Sequence, residues 1–148
     1  MNFIIRPALK DDMCDVLSLI KELAVFENEP DAVEISVEDL INHGFKSDPM
    51  FLCHVAIYGD KIVGMSLGYR RYSTWKGPTM HLEDLIVSRN YRRKGIATAL
   101  KIKAIEKLIE KGITEIRTDN EENNPMYKIN LSLGFESVPF SLEYMKEI

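Results

Sequence analysis

Residues Ser88–Leu100 read "SRNYRRKGIATAL". Arg89, Arg92, Arg93 and Lys94 crowd the approach to Gly95, after which the chain turns apolar at helical spacing. From Gly95 to Lys111, Ile96, Leu100, Ala104 and Leu108 fall on one face, with Ala97, Ile105 and Ile109 beside them; Gly112 is the stop signal. A helix that starts at the end of a strand presents unpaired N–H groups and the positive end of its dipole, which together can hold phosphate. Gly95 lacks a Cβ and lets a ligand approach the backbone, Ala97 keeps the next turn slim, and the basic side chains add charge. Two readings fit this spacing: a phosphate site, or a glycine-started helix with solvated basic residues.

The chain has 148 residues, 45% hydrophobic and 28% charged, which suits one ordinary globular domain spanning 1–148. A net charge of −4 argues against nucleic acid as a partner, and the "RRK" run has no companion basic stripe. Cys14 and Cys53 make no disulfide framework or Cys-x-x-Cys spacing and read as small core residues; no metal site is expected. "MNFIIRPALKDD" contains neither a signal peptide nor a membrane span, so a reducing cytoplasm is the expected location. The G-x-x-x-x-G-K-[ST] loop and the G-x-G-x-x-G fingerprint are both absent from the sequence.

"NFIIRPAL" predicts a first or edge strand closed by Pro7. Met13, Val16, Leu17, Ile20, Leu23 and Ala24 predict a helix capped by Asp11 or Asp12, and "SVEDLINHG" a short one capped by Ser36. Two strand-like runs flank the hairpin signal Gly59-Asp60, and "MHLEDLIV" predicts a third strand whose alternation breaks at Glu83-Asp84. "ITEIRT" is a weaker strand signal. "NPMYKINLSLGF" predicts a helix with Asn123 or Asn124 as cap, Pro125 in its first turn and Gly134 at its end. "FESVPFSLEYMKEI" predicts one or two closing strands. A meander followed by strand–helix–strand implies a right-handed crossover and a mixed sheet of the α+β class.

"LIVSRNYRRKGIATAL" resembles the acyl-CoA signature R/Q-x-x-G-x-G/A of the GNAT superfamily of N-acetyltransferases, matched by Arg92, Gly95 and Ala97. Along the first three-quarters of the chain, "IRPA", "LIKELAVFE", "STWKG" and "HLEDLIV" are most similar to the diamine (spermidine/spermine) acetyltransferase branch. The resemblance implies a mostly antiparallel sheet of about six to seven strands, helices on both faces, and a splayed parallel strand pair that holds acetyl-CoA. It implies a pyrophosphate on the turn from Arg93 through Lys94, Gly95, Ile96 and Ala97 to Thr98. The pantetheine would lie along Leu85, Ile86 and Val87, and Asn123 would touch it. A homodimer is implied as well, with "STWKG" or the closing strands in its interface.

Acyl transfer to an amine requires that an ammonium with a pKa of roughly 10 lose its proton, that the thioester oxygen find donors, and that the sulfur leave. Glu83 is the candidate base, since diamine-type enzymes have a glutamate at the matching place; the other reading is a surface carboxylate on a half-buried strand. Asp84 would face the opposite side, and His81 shares Glu83's face by period two. A backbone N–H near Val87 is the expected oxyanion donor. For the third task the family's tyrosine is replaced by Asn130, which donates hydrogen bonds but is no proton source at neutral pH. Tyr127, one turn earlier, is a candidate substitute, and the general acid stays unassigned. Phe26, Glu27 and Trp75 match positions that line the polyamine end of such sites, while Arg70 and Arg71 would oppose a polycation if they faced inward. The implied reaction is transfer of the acetyl group of acetyl-CoA to a primary amine of a small molecule (diamine, polyamine or amino-acid-like) by direct attack in a ternary complex. The alternatives are peptide or protein N-acetylation on the same fold and a non-catalytic CoA-binding module.

Overall fold

In the computed structural model, residues 2–120, 124–139 and 142–148 are described. Strands β1 (Ile4–Pro7), β2 (Leu52–Tyr58), β3 (Lys61–Ser73), β4 (Gly77–Val87) and β5 (Ile116–Thr118) form one sheet in the order β1-β2-β3-β4-β5. The first four pair antiparallel and β5 joins β4 in parallel, as the crossover reading predicts. The hairpin turn between β2 and β3 has Gly59 at φ +64°, a conformation that costs glycine little.

Helices α1 (Met13–Phe26) and α2 (Val37–Gly44) cover one face of the sheet. Met13, Val16 and Leu19 of α1 and Leu40 of α2 pack there on Cys53, Val55, Met65 and Ile86. Ser36 closes a capping box with Asp39: the Asp39 N–H donates to the serine Oγ, and the Ser36 N–H donates to the carboxylate. Asp12 precedes α1 but does not cap it. Its carboxylate instead accepts from Arg6 at 2.6 and 3.0 Å and from the Leu9 N–H at 2.7 Å, which ties β1 to the helix. The Arg6 guanidinium therefore holds the Asp12 carboxyl below its usual range.

Helix α3 (Ile96–Glu110) covers the opposite face, with Ile96 and Leu100 buried on Ala56, Val63 and Val87. Gly64 permits this approach, because a Cβ there would meet the Ile86 carbonyl at 3.0 Å and a Leu100 methyl at 3.3 Å. Two positions differ from the helical pattern read in the sequence. Ile109 is 69% exposed, whereas Lys101, a cation, is fully buried on the inner face. Helix α4 (Met126–Ser132) is short, and the Asn124 Oδ1 accepts the Met126 N–H at 2.9 Å at its start.

The sheet has five strands among the described residues, rather than about six to seven. Among the described residues of "FESVPFSLEYMKEI" no strand forms, and Val138, Leu142, Tyr144 and Met145 are 63–88% exposed. A strand needs a neighbour to satisfy its N–H and C=O groups, and no described part of this chain lies beside that segment as one.

Candidate active site

The site follows from how unequally β4 is paired. β3 matches it at ten positions from Gly77 to Val87, but β5 matches it only at Met80, His81 and Leu82. Beyond Leu82 the two parallel strands part, and a cleft of about 560 Å³ opens between β4, α3 and α4, a size typical of small-molecule sites.

Glu83 stands at the point of parting. Leu67 pairs with Asp84 and Gly68 with Leu82, so Glu83 is the extra residue of a β-bulge. The bulge is the structural form of the broken alternation in "MHLEDLIV". It also switches the faces of the strand: Leu82 packs near Leu108 beneath α3, and after the bulge Leu85 and Val87 do so beside Ile96. The Glu83 side chain is half exposed and lines the cleft. His81 is buried beside it, with Nε2 at 3.5 Å from Glu83 and 3.6 Å from Asp119, its ring tilted on Tyr69, and its Nδ1 without a partner among the described residues. Asp84 is not among the lining residues. Burial, with help from Glu83 and Glu27, pushes its carboxyl up to about 6.

At the other end, the backbone passes through the left-handed region at Arg93 (φ 61°) and again at Gly95 (φ 80°), immediately before α3. Turns of this kind group N–H donors into an anion-binding concavity. At Arg93, a non-glycine residue, this geometry costs about 1 kcal/mol. An ideal Cβ on Gly95 would meet nothing within 4 Å, so a side chain there would fill the space before the amides where a diphosphate would lie. The concavity therefore fits the pyrophosphate implied by the sequence.

Leu85, Ile86, Val87, Arg92, Arg93, Gly95, Ile96, Ala97 and Thr98 all border the cleft. Lys94 is exposed and does not, and Asn123 lies outside the described residues. Arg92 serves the loop as much as any ligand. Its Nε donates to the Val87 carbonyl at 2.8 Å, its guanidinium lies 3.5 Å from Glu22, and it stacks 5.2 Å from the centre of the Phe26 ring. Phe26 and Glu27 border the cleft, whereas Trp75, at the β3–β4 hairpin tip, is 94% exposed and lies apart from it. Arg70 and Arg71 are exposed and also stand apart, so neither opposes a cation in the cleft.

Neither Asn130 nor Tyr127 borders the cleft. Asn130 is linked to a residue the sequence reading passed over: its Oδ1 accepts from the Lys101 ammonium, and its Nδ2 donates to Asn120 at 2.7 Å. Lys101 lines the cleft, and burial pushes its ammonium down to about 8. A signal existed, because Lys101 falls four residues after Ala97 and three before Ala104, on the face that packs inward. Asp119 and Asn120, which follow β5 into the cleft, carried no such signal.

Comparison with known proteins agrees with this geometry. Residues 14–135 match the profile of the acetyltransferase (GNAT) family. Thialysine N-epsilon-acetyltransferase of Bos taurus is 38% identical over 162 residues, covering 97% of this chain and 95% of the relative. Spermidine/spermine N(1)-acetyltransferase-like protein 1 of Homo sapiens is 37% identical over 105 residues, 66% of this chain and 15% of that protein. Among solved structures, an aminoglycoside N-acetyltransferase in complex with CoA shares the fold, with a TM-score of 0.75 at 21% identity over 98% of this chain and 100% of that one. The bulged, splayed strand, the amide-rich turn before α3 and the family match converge on one conclusion: this chain belongs to the GNAT family and is an N-acetyltransferase that uses acetyl-CoA.

Proposed function

We propose that the chain acetylates a primary amine of a small cationic molecule, such as a diamine, a polyamine or a lysine-like amino acid, by direct attack in a ternary complex. One observation carries this reading: the cleft is electrically divided. Its α3 end has Arg93 at the phosphate turn, and its other end has Glu27, Glu83 and Asp119 on the rim. An anionic donor and a cationic acceptor would each meet the matching sign.

When bound, acetyl-CoA supplies the activated acetyl group. The turn from Arg93 to Thr98 would hold the diphosphate and Leu85, Ile86 and Val87 would line the pantetheine path, with Asn123, outside the described residues, expected from the family pattern to touch it. Glu83 takes the proton of the incoming ammonium, directly or through water, and holds the cation against the rim. His81, between Glu83 and Asp119, fixes the carboxylate's place. Phe26 and Glu27 flank the acceptor. We assign no side-chain contact to Tyr127, Lys94 or Trp75; Lys94 contributes only its place in the backbone of the turn. The relatives that act on thialysine and the spermidine/spermine-type relative support an acceptor bearing a flexible primary amine. We further propose that residues 1–148 work as one cytoplasmic domain that forms a homodimer. The exposed Tyr72 and Trp75 of the hairpin tip and the exposed apolar residues after α4 support this pairing.

The deciding experiment measures free-thiol release from acetyl-CoA across a panel of diamines, thialysine, aminoglycosides and peptides. Turnover fastest on small amines with a second polar or cationic group is expected. Faster turnover on peptides, or none on any amine, overturns the proposal.

A further inference from the structure

Lys101 is a cation of the cleft that the mechanism above does not use. Lys101 is fully buried, yet it borders the same cleft as Glu83 and Leu85, one turn of α3 beyond Ala97. Asn130 of α4 accepts a hydrogen bond from its Nζ, and the Phe135 ring lies 4.7 Å away across the ammonium. Asn130 is itself held by Asn120, so the ammonium is positioned by a short chain of amides. The two carboxylates closest to His81, Glu83 and Asp119, are engaged with that imidazole on the β4–β5 side. A buried ammonium that packs on an amide and a ring is costly for stability alone, and a methionine would fill the same space more cheaply.

The geometry points to Lys101 as the general acid of this enzyme, with Asn130, which stands in the place of the family's tyrosine, as the residue that positions it. This inference rests on the acetyltransferase reading. As the amine nitrogen bonds to the acetyl carbon, the C–S bond breaks and its electron pair goes to sulfur. Lys101 Nζ gives that sulfur a proton, leaving CoA as the thiol and the lysine neutral. The surplus proton of the amine leaves through Glu83 to solvent, and Lys101 regains its own from solvent. An ammonium pushed down to about 8 is close to matching a thiol of roughly 8.5, so the transfer is nearly balanced in free energy.

The test compares wild type with Lys101→Met and Lys101→Arg. Its first readout is the ultraviolet absorbance of the CoA thiolate in the binary complex, titrated against pH. In wild type the bound thiol is expected to ionise at lower pH than free CoA, and in Lys101→Met this shift is lost. The second readout is the pH profile of kcat: the fall on the alkaline side near pH 8 should vanish in Lys101→Met and move upward in Lys101→Arg. We expect Lys101→Met to lower kcat on the order of 10- to 100-fold, with the Kd for acetyl-CoA within about twofold, the low end of general-acid effects because thiolate leaves readily. Unchanged kcat and pH profile in a folded Lys101→Met protein overturn the inference. So does a wild-type bound thiol that ionises at or above the pH of free CoA, a measurement that requires no variant. Wild type that neither binds acetyl-CoA nor releases thiol with any amine would sink the acetyltransferase reading itself.

Discussion

The two sides of β4 are built from one strand and differ in almost everything else. Toward β3 it is paired at ten positions and sits over a sealed apolar layer in which Met13, Val16, Val55 and Met65 are all fully buried. Toward β5 it is paired at three, and the stretch beyond Leu82 borders a cleft. The open side carries Glu83 at the bulge and Lys101, whose ammonium burial pushes down to about 8, while Asp84, pushed up to about 6, lies at the boundary between the two sides. The sealed side stabilises the fold, and that stability allows the open side to keep buried charge, which is unfavourable in itself.

Three substitutions test this division. The largest effect belongs to the open side. Glu83→Gln should lower kcat on the order of 100- to 10,000-fold while leaving the Kd for acetyl-CoA unchanged, measured by stopped-time assay and calorimetry. A rate within threefold of wild type would move the base elsewhere on the rim.

Next comes the sealed side. Met65→Ala removes a fully buried side chain and should cost about 2–5 kcal/mol in denaturant unfolding. Acetyl-CoA affinity of the folded fraction should hold. If affinity falls in step with stability, the two sides are coupled and the comparison breaks.

The smallest effect lies at the boundary. Burial raises the Asp84 pKa from 3.8 to about 6, so between those values the folded state binds more protons than the unfolded one. Stability therefore falls as pH rises through that window, and the penalty is complete above it. Asp84→Asn should remove the penalty, raising stability by up to about 3 kcal/mol at pH 7.5 and by almost nothing near about pH 3. An equal gain at both pH values would mean that burial of charge is not the cause.

What was legible in the sequence divides along the same line. The helix after Gly95, the Ser36 cap, the Gly59-Asp60 hairpin and the break at Glu83-Asp84 were all readable. Each depends on neighbours a few residues apart and on backbone preferences that travel with the residue type. The break was visible as lost alternation, but not as a bulge, because a bulge is a relation between Leu67, Gly68 and the residues opposite them. Trp75 matched a motif and still lies apart from the cleft, since the hairpin that carries it extends beyond the pairing with β5.

By itself the sequence determined the order of elements as far as α4 and the glycine turn that opens α3, because these follow from local periodicity and backbone preference. Only the tertiary structure decided that β5 would release β4 after three residues and that Lys101 would meet Asn130 across 29 positions of chain. Such contacts depend on which surfaces become neighbours once water is excluded, and no short-range pattern encodes the desolvation that shifts Lys101 and Asp84.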